Sequence, residues 1–200
     1  MSNNPNHRRQ RSTGHSPAAP LGILVTAVLQ FSGCNTAQVA DPLTNTLSDN
    51  RPETQLEFWH QLTSRPITSN DEAFHGLILF MEVEDPPADY QGRMELLGSL
   101  QMLPPGFDRP ANQAVLRGTL AVAITRLLEI KGGLVMRLLG PSPRYATREL
   151  QYLSLYPPSS PQQTFSGTEF VGVMGRIEDY QRITHPIDKP TIRPETPPAR

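Results

Sequence analysis

The sequence predicts an all-α fold, a small bundle of about six or seven short helices with proline-rich loops. Three observations predict it. Prolines number 21 in 200 residues, twice the usual share of about 5%, and through the middle of the chain they fall in clusters. The stretches between clusters are proline-free and carry apolar residues three and four apart, which places them on one helix face. No pair of stretches alternates apolar and polar residues as paired strands do. Proline breaks a helix interior but sits well in a first turn, so each cluster reads as a boundary.

The elements follow in order. Thr54 to Glu57 has the spacing of a capping box and leads to Phe58, Trp59 and Leu62. Ser69-Asn-Asp-Glu72 is a second box, leading to Ala73, Gly76, Leu77 and Phe80. After Pro86-Pro87, Tyr90, Met94, Leu97 and Leu100 keep helical spacing, with Asp85 as the expected cap. Glu82, Glu84, Asp85 and Asp89 there read as a solvated helix end rather than a cation site, because calcium-loop spacing is absent. Residues 114–130 form the most apolar helix, and Lys131-Gly132-Gly133 is its expected stop. Residues 134–139 read as a short buried helix or one strand. Leu, Met and Arg outnumber β-branched residues, which favours helix. Ser142-Pro143 starts the next helix, with Tyr145, Tyr152 and Tyr156. Ser166-Gly-Thr-Glu169 is the clearest capping box, with Phe165 and Phe170 placed as a hydrophobic staple.

The N-terminus reads as an address. Arg8, Arg9 and Arg11 form a positive stretch with no acid before Asp41. Residues 21–31 are apolar except Thr26 and Gln30, which is too short for a spanning helix of about 20 residues and suits a signal peptide. The run ends Phe31-Ser32-Gly33-Cys34, where two small residues and the chain's only cysteine resemble the lipobox of bacterial lipoproteins, with Phe31 where leucine is usual. The resemblance implies a lipid on the Cys34 thiol, cleavage after Gly33 and acylation of the new amine. The domain plan is then a signal peptide at 1–33, a lipidated flexible tether at 34–53, a helical domain at 54–180 and a disordered proline-rich tail at 181–200. The location implied is the cell envelope, with the outer membrane or periplasmic face favoured by Asn35 after the cysteine.

The chain also echoes itself. Tyr90-Gln-Gly-Arg93 and Tyr145-Ala-Thr-Arg148 each precede a leucine-rich helix and a proline pair, and residues 69–81, 116–128 and 165–177 superpose as sequence. Two to three degenerate helix–loop–helix repeats are expected. These stretches resemble, faintly, the S-layer homology modules, helical repeats that bind cell-wall polysaccharide. The resemblance implies such binding and places Arg117 loosely at the usual binding arginine. Asn70-Asp-Glu-Ala-Phe-His-Gly76 and Gly140-Pro-Ser-Pro-Arg-Tyr-Ala-Thr-Arg-Glu149 resemble uncharacterised lipid-anchored proteins of planctomycete-type bacteria, which imply no activity.

Catalytic, nucleotide-binding and metal-ligating motifs are absent from the sequence. His60, His75 and His185 are isolated from one another and read as structural. The chain is therefore expected to be non-catalytic and to need no cofactor; an uncharacterised periplasmic hydrolase is the alternative. A net charge of -1 gives no reason to expect nucleic acid. Charge is nevertheless segregated: residues 70–100 hold seven acids and one base, and residues 109–148 hold seven bases and one acid. Arg137, Arg144, Tyr145 and Arg148 lie around the Gly-Pro-Ser-Pro turn as a candidate ligand-binding set, since arginine grips phosphate and carboxylate with two parallel bonds. One reading makes them a face for an anionic envelope polymer or a protein partner. The other pairs them internally with the acids of 70–100, or leaves them simply facing water. The membrane, through the lipid on Cys34, is the remaining expected partner.

Overall fold

The structure is a computed structural model and describes residues 37–43, 47–49 and 51–184. Cys34, the expected signal peptide at 1–33 and the expected tail from residue 185 onward lie outside the described residues. Among the described residues there are seven helices: α1 Pro52–Thr63, α2 Asn70–Phe80, α3 Tyr90–Ser99, α4 Arg117–Leu127, α5 Leu134–Leu139, α6 Pro143–Tyr152 and α7 Gly167–Thr184. The expected all-α bundle is what forms. Extended backbone is limited to isolated antiparallel bridges, Gln38 with Gln113, Ser69 with Ala114 and Leu116 with Thr164.

Those bridges lie where three helices begin. The chain entering α2 meets the chain entering α4: Val115 N–H donates to the Thr68 carbonyl at 2.9 Å, and Asn70 N–H to that of Gln113 at 2.8 Å. The entry to α4 meets the entry to α7, with Arg117 N–H donating to Gln163 at 2.8 Å and Gly118 N–H to Pro161 at 2.9 Å. The entries to α7 and α2 close the ring, through Thr68 N–H to Phe165 at 2.9 Å and Gly167 N–H to Arg65 at 2.9 Å. Each entry thus bonds to both others. The amides freed at these helix starts find partners although they are buried, as backbone groups away from water must.

Three helix pairs radiate from this ring: α2 with α3, α4 with α6, and α7 with α1. The last pair joins elements from opposite ends of the body. Phe58, Leu62, Phe74, Leu77, Leu97, Leu120, Ile124, Leu150, Phe165, Phe170 and Ile177 fill the space between them, all fully buried. Phe165 meets Tyr156 and Phe170 edge-on, with ring centres 5.6 and 6.3 Å apart.

Side chains reinforce the ring. Both boxes at Ser69 and Ser166 form: Glu72 accepts from Ser69 N–H at 2.7 Å, and Glu169 from Ser166 N–H at 3.0 Å. Arg117 donates to the Thr164 carbonyl and the Glu169 carboxylate, and its guanidinium lies 4.7 Å from the Phe165 ring centre. The Ser166 amide, with Arg117, holds the Glu169 carboxyl below its usual range. Arg93 is 1% exposed and bridges α3 to Asp71 on α2 at 2.6 Å, while also donating to the carbonyls of Leu47 and Ala88.

Several boundaries differ from the sequence reading. α1 starts two residues before Thr54, at Pro52, and Thr54 instead donates to Asp49. Asp89, not Asp85, caps α3, accepting from Gly92 N–H at 2.7 Å. α4 starts at Arg117 because residues 113–116 are used as extended chain in the ring. It ends before Lys131-Gly132-Gly133, where Glu129 turns left-handed at φ 50° and Ile130 N–H reaches back to the Thr125 carbonyl. The body also reaches back beyond residue 54. Val39 N–H bonds to the Asn112 carbonyl at 2.8 Å, and Val39 and Leu47 are buried. α7 runs on to Thr184.

Gly167 marks the tightest approach in the ring. A Cβ there would lie 1.6 Å from the Leu62 carbonyl oxygen at the end of α1, an impossible distance. Gly98, exposed on α3, has nothing within 4 Å of such a Cβ. Gly167→Ala should therefore destabilise the protein by about 3 kcal/mol, the upper range for overpacking. Gly98→Ala should stabilise it by about 0.5–1 kcal/mol through helix propensity alone. Thermal or urea unfolding of the two variants checks the contrast; equal effects would mean that α1 and α7 do not pack as described.

Candidate functional site

Of the candidate arginines, Arg137 lies on α5, and Arg144 and Arg148 on α6, either side of the turn between them. α4 ends at the left-handed Glu129, and the chain turns through Gly132, at φ 58°, and Gly133 into α5. The left-handed backbone favours glycine at 132, where a Cβ would also lie 2.6 Å from the Met136 sulfur and make that side chain shift. α5 ends at Gly140, at φ 78°, and Pro141-Ser142-Pro143 leads into α6, with Ser142 at the cap position and Pro143 in the first turn. α6 buries Ala146, Thr147 and Leu150 against α4. Its opposite side carries Arg144, Arg148 and Tyr152 one turn apart, all exposed.

The four candidates are not one cluster. Arg148 and Tyr145 line a hollow of about 310 Å³ between α5 and α6, together with Tyr152, Glu149, Leu134 and Val135. Arg137 lines a different hollow of about 440 Å³, with Arg126, Lys131 and Met136, and its Nε donates to the Gly132 carbonyl at 3.2 Å. Arg144 lines neither hollow. Arg126 and Lys131, which sequence reasoning did not single out, thus extend the basic surface around α5. Arg126 also borders a hollow of about 540 Å³, against Phe107 and Leu139. Their signal in the sequence was available: both follow the apolar face of α4 at its end, where an exposed base meets the helix dipole.

Internal pairing of this segment with the acids of 70–100 is not what the structure shows. Asp71 pairs with Arg93 at 2.6 Å and Glu72 with Arg65 at 3.2 Å, both partners from outside residues 109–148. Arg117 is the one base of 109–148 in an ion pair among the described residues, and its partner is Glu169 at 2.7 Å. Arg117 is 6% exposed, with donors already engaged inside the ring. It holds two helices together, whatever the resemblance implies for a binding arginine at that place. Arg137, Arg144 and Arg148 form no ion pair among the described residues. The Tyr-x-x-Arg echo is a likeness of sequence with unlike outcomes, since Arg93 is buried at 1% exposure and Arg148 is exposed.

α5 is the other departure. It is helical, but the expected burial fails, since Met136 is its one buried residue. Six residues between glycines, with Arg137 in the middle, cannot cover both faces.

Among the described residues no group of three His, Cys, Asp or Glu side chains is placed to hold a metal ion. No helix there is long and apolar enough to cross a membrane. No protein-family model matches this chain, and no curated protein or solved structure matches it.

His75 is a buried titratable group without a hydrogen-bond partner among the described residues. It is fully buried on α2, edge-on to Phe58 at 4.7 Å, and neither ring nitrogen has a hydrogen-bond partner. Burial, aided by the positive charge of Arg93, lowers its pKa from 6.5 to about 4. The unfolded chain therefore binds a proton between pH 6.5 and 4 that the folded protein refuses, and stability falls as pH falls through that window. At pH 4 the loss is about 3 kcal/mol. His75→Leu should flatten the dependence between pH 6.5 and 4 while leaving stability at pH 7.5 equal or higher. Urea unfolding across that range checks this; an unchanged slope would place the acid sensitivity elsewhere.

Proposed function

We propose that this is a lipid-anchored protein of a bacterial cell envelope with a non-catalytic binding or scaffolding role, and that the α5–α6 face takes an anionic envelope polymer or protein partner. One observation carries the reading. Arg126, Lys131, Arg137, Arg144 and Arg148 are exposed within one stretch, with only Glu129 and Glu149 as acids, and none of the five is ion-paired among the described residues. Charge left uncompensated on a folded surface attracts an opposite charge from elsewhere. Tyr145 and Tyr152 supply flat, amphipathic contact beside Arg148. The anchor rests on the lipobox at Cys34. The repeat reading, with its likeness to S-layer homology modules, is supported by the equivalent places that the entries to α2, α4 and α7 take in the ring.

Reversing charge at Arg144 and Arg148 together should abolish retention on cell-wall material at low salt, with the helical circular-dichroism signal and melting temperature unchanged. Retention by the unaltered protein should weaken as salt rises, because exposed charges are screened over about 10 Å at 0.1 M. A lower melting temperature with unchanged retention would contradict this face as the site. For the anchor, Cys34→Ser should release the protein from the membrane fraction and block cleavage after Gly33. Failure of the unaltered protein to take up labelled fatty acid would refute lipid attachment there.

A further inference from the structure

Charge accounts for half of the α5–α6 face. The other half is apolar and turned outward. Leu134 is 72% exposed, Leu138 74% and Leu139 83%, and Tyr152 on the neighbouring helix is 83% exposed. Outward apolar side chains gathered on one short element mark a surface that meets a partner. Their geometry restricts the partner. Leu134 and Tyr152 border the hollow between α5 and α6, and Leu139 the one beside Phe107, yet each keeps most of its surface in water, so whatever receives them must yield around them. α5 is set off from the body by Gly132 and Gly140, both in left-handed backbone, with Met136 as its buried foot. Exposed bases lie beside α5: Arg148 lines the same hollow as Leu134, and Lys131 and Arg137 line the hollow of Met136.

We infer that this face docks on an anionic lipid bilayer, with the leucines of α5 entering the boundary between headgroups and acyl chains. The inference rests on the preceding reading only in that the face takes an anionic partner, and puts a lipid surface in place of the polymer or protein. Leu134, Leu138 and Leu139 bury apolar surface there, as interfacial helices do. Tyr145 and Tyr152 sit at headgroup level, where a ring with one polar end is stable. Long basic side chains lay their stems along the apolar zone and keep their charge at the lipid phosphates. A hydrophilic polyanion would satisfy the arginines and leave the leucines in water. A second copy of the chain would set five bases against five. The bilayer is the partner that is both negative and yielding.

The test uses the full chain added to two kinds of vesicle, phosphatidylcholine alone and phosphatidylcholine with about a third phosphatidylglycerol, and reads amide hydrogen exchange of residues 134–139. Because this readout is local, capture of the N-terminal segment by lipid does not imitate the result. The expected outcome is exchange about tenfold slower on the anionic vesicles, lost at about 0.5 M salt. Both Leu138→Gln with Leu139→Gln and Arg137→Glu with Arg148→Glu should remove it, with the helical signal unchanged. Equal exchange on both vesicles overturns the inference. If dextran sulfate slows exchange and anionic vesicles do not, the face binds a soluble polyanion, so the bilayer is excluded and the preceding reading stands. If neither slows it, both readings fall.

Discussion

Everything in this fold depends on a ring of main-chain hydrogen bonds where three helices begin. An α-helix leaves its first amides unsatisfied, and burying three helix starts together would ordinarily be costly. Here the residues just before each helix are extended and bond to the other two entries, so Thr68, Val115, Arg117 and Gly167 all find main-chain partners. The ring fixes where α2, α4 and α7 start and how closely they converge. It also explains the residues at the junction. Gly167 leaves room for the Leu62 carbonyl, and Arg117 ties the α4 entry to both the backbone and the side chains of the α7 entry.

From that junction the rest follows by packing. Each ring helix carries a second helix, and the pair made by α1 and α7 brings the two ends of the body together. The buried Arg93 extends the same logic to the outer chain, since its bonds to Asp71 and to the Leu47 carbonyl draw residues before α1 onto α2. Removing one partner of such a buried ion pair leaves the other charge stranded, at a cost of about 3–5 kcal/mol. α5 stands apart from this network. It lies between glycine turns and holds on by Met136, so its surface is free to serve an external partner.

What the sequence disclosed divides along the same line. Local chemistry was legible: the capping boxes at Ser69 and Ser166, the proline boundaries and the helical spacing all concern residues within one turn of each other. The ring was not, because its bonds join residues about fifty or a hundred apart and involve backbone atoms that every residue type carries. That is why residues 114–116 looked like the start of α4, and why the segment 34–53 looked like a tether outside the body. The basic segment was legible as charge but not as a site. Arg117 and Arg137 look alike in sequence, yet one is enclosed in the ring and the other faces water. The exposure of α5 was hidden by its own hydrophobicity, since leucines read as core until their surroundings are known.

The surface and the core are thus separate devices, a locked junction and an outward element mounted beside it. The junction is tested most directly by native-state hydrogen exchange at the amides of Thr68, Asn70, Val115, Arg117 and Gly167. If the three entries are mutually locked, none can open alone, and all five exchange only through global unfolding, with one common free energy equal to that from denaturant. Exchange of any entry at a free energy well below the others would contradict the account, because it would show a helix start that can leave the ring while the rest of the fold stands.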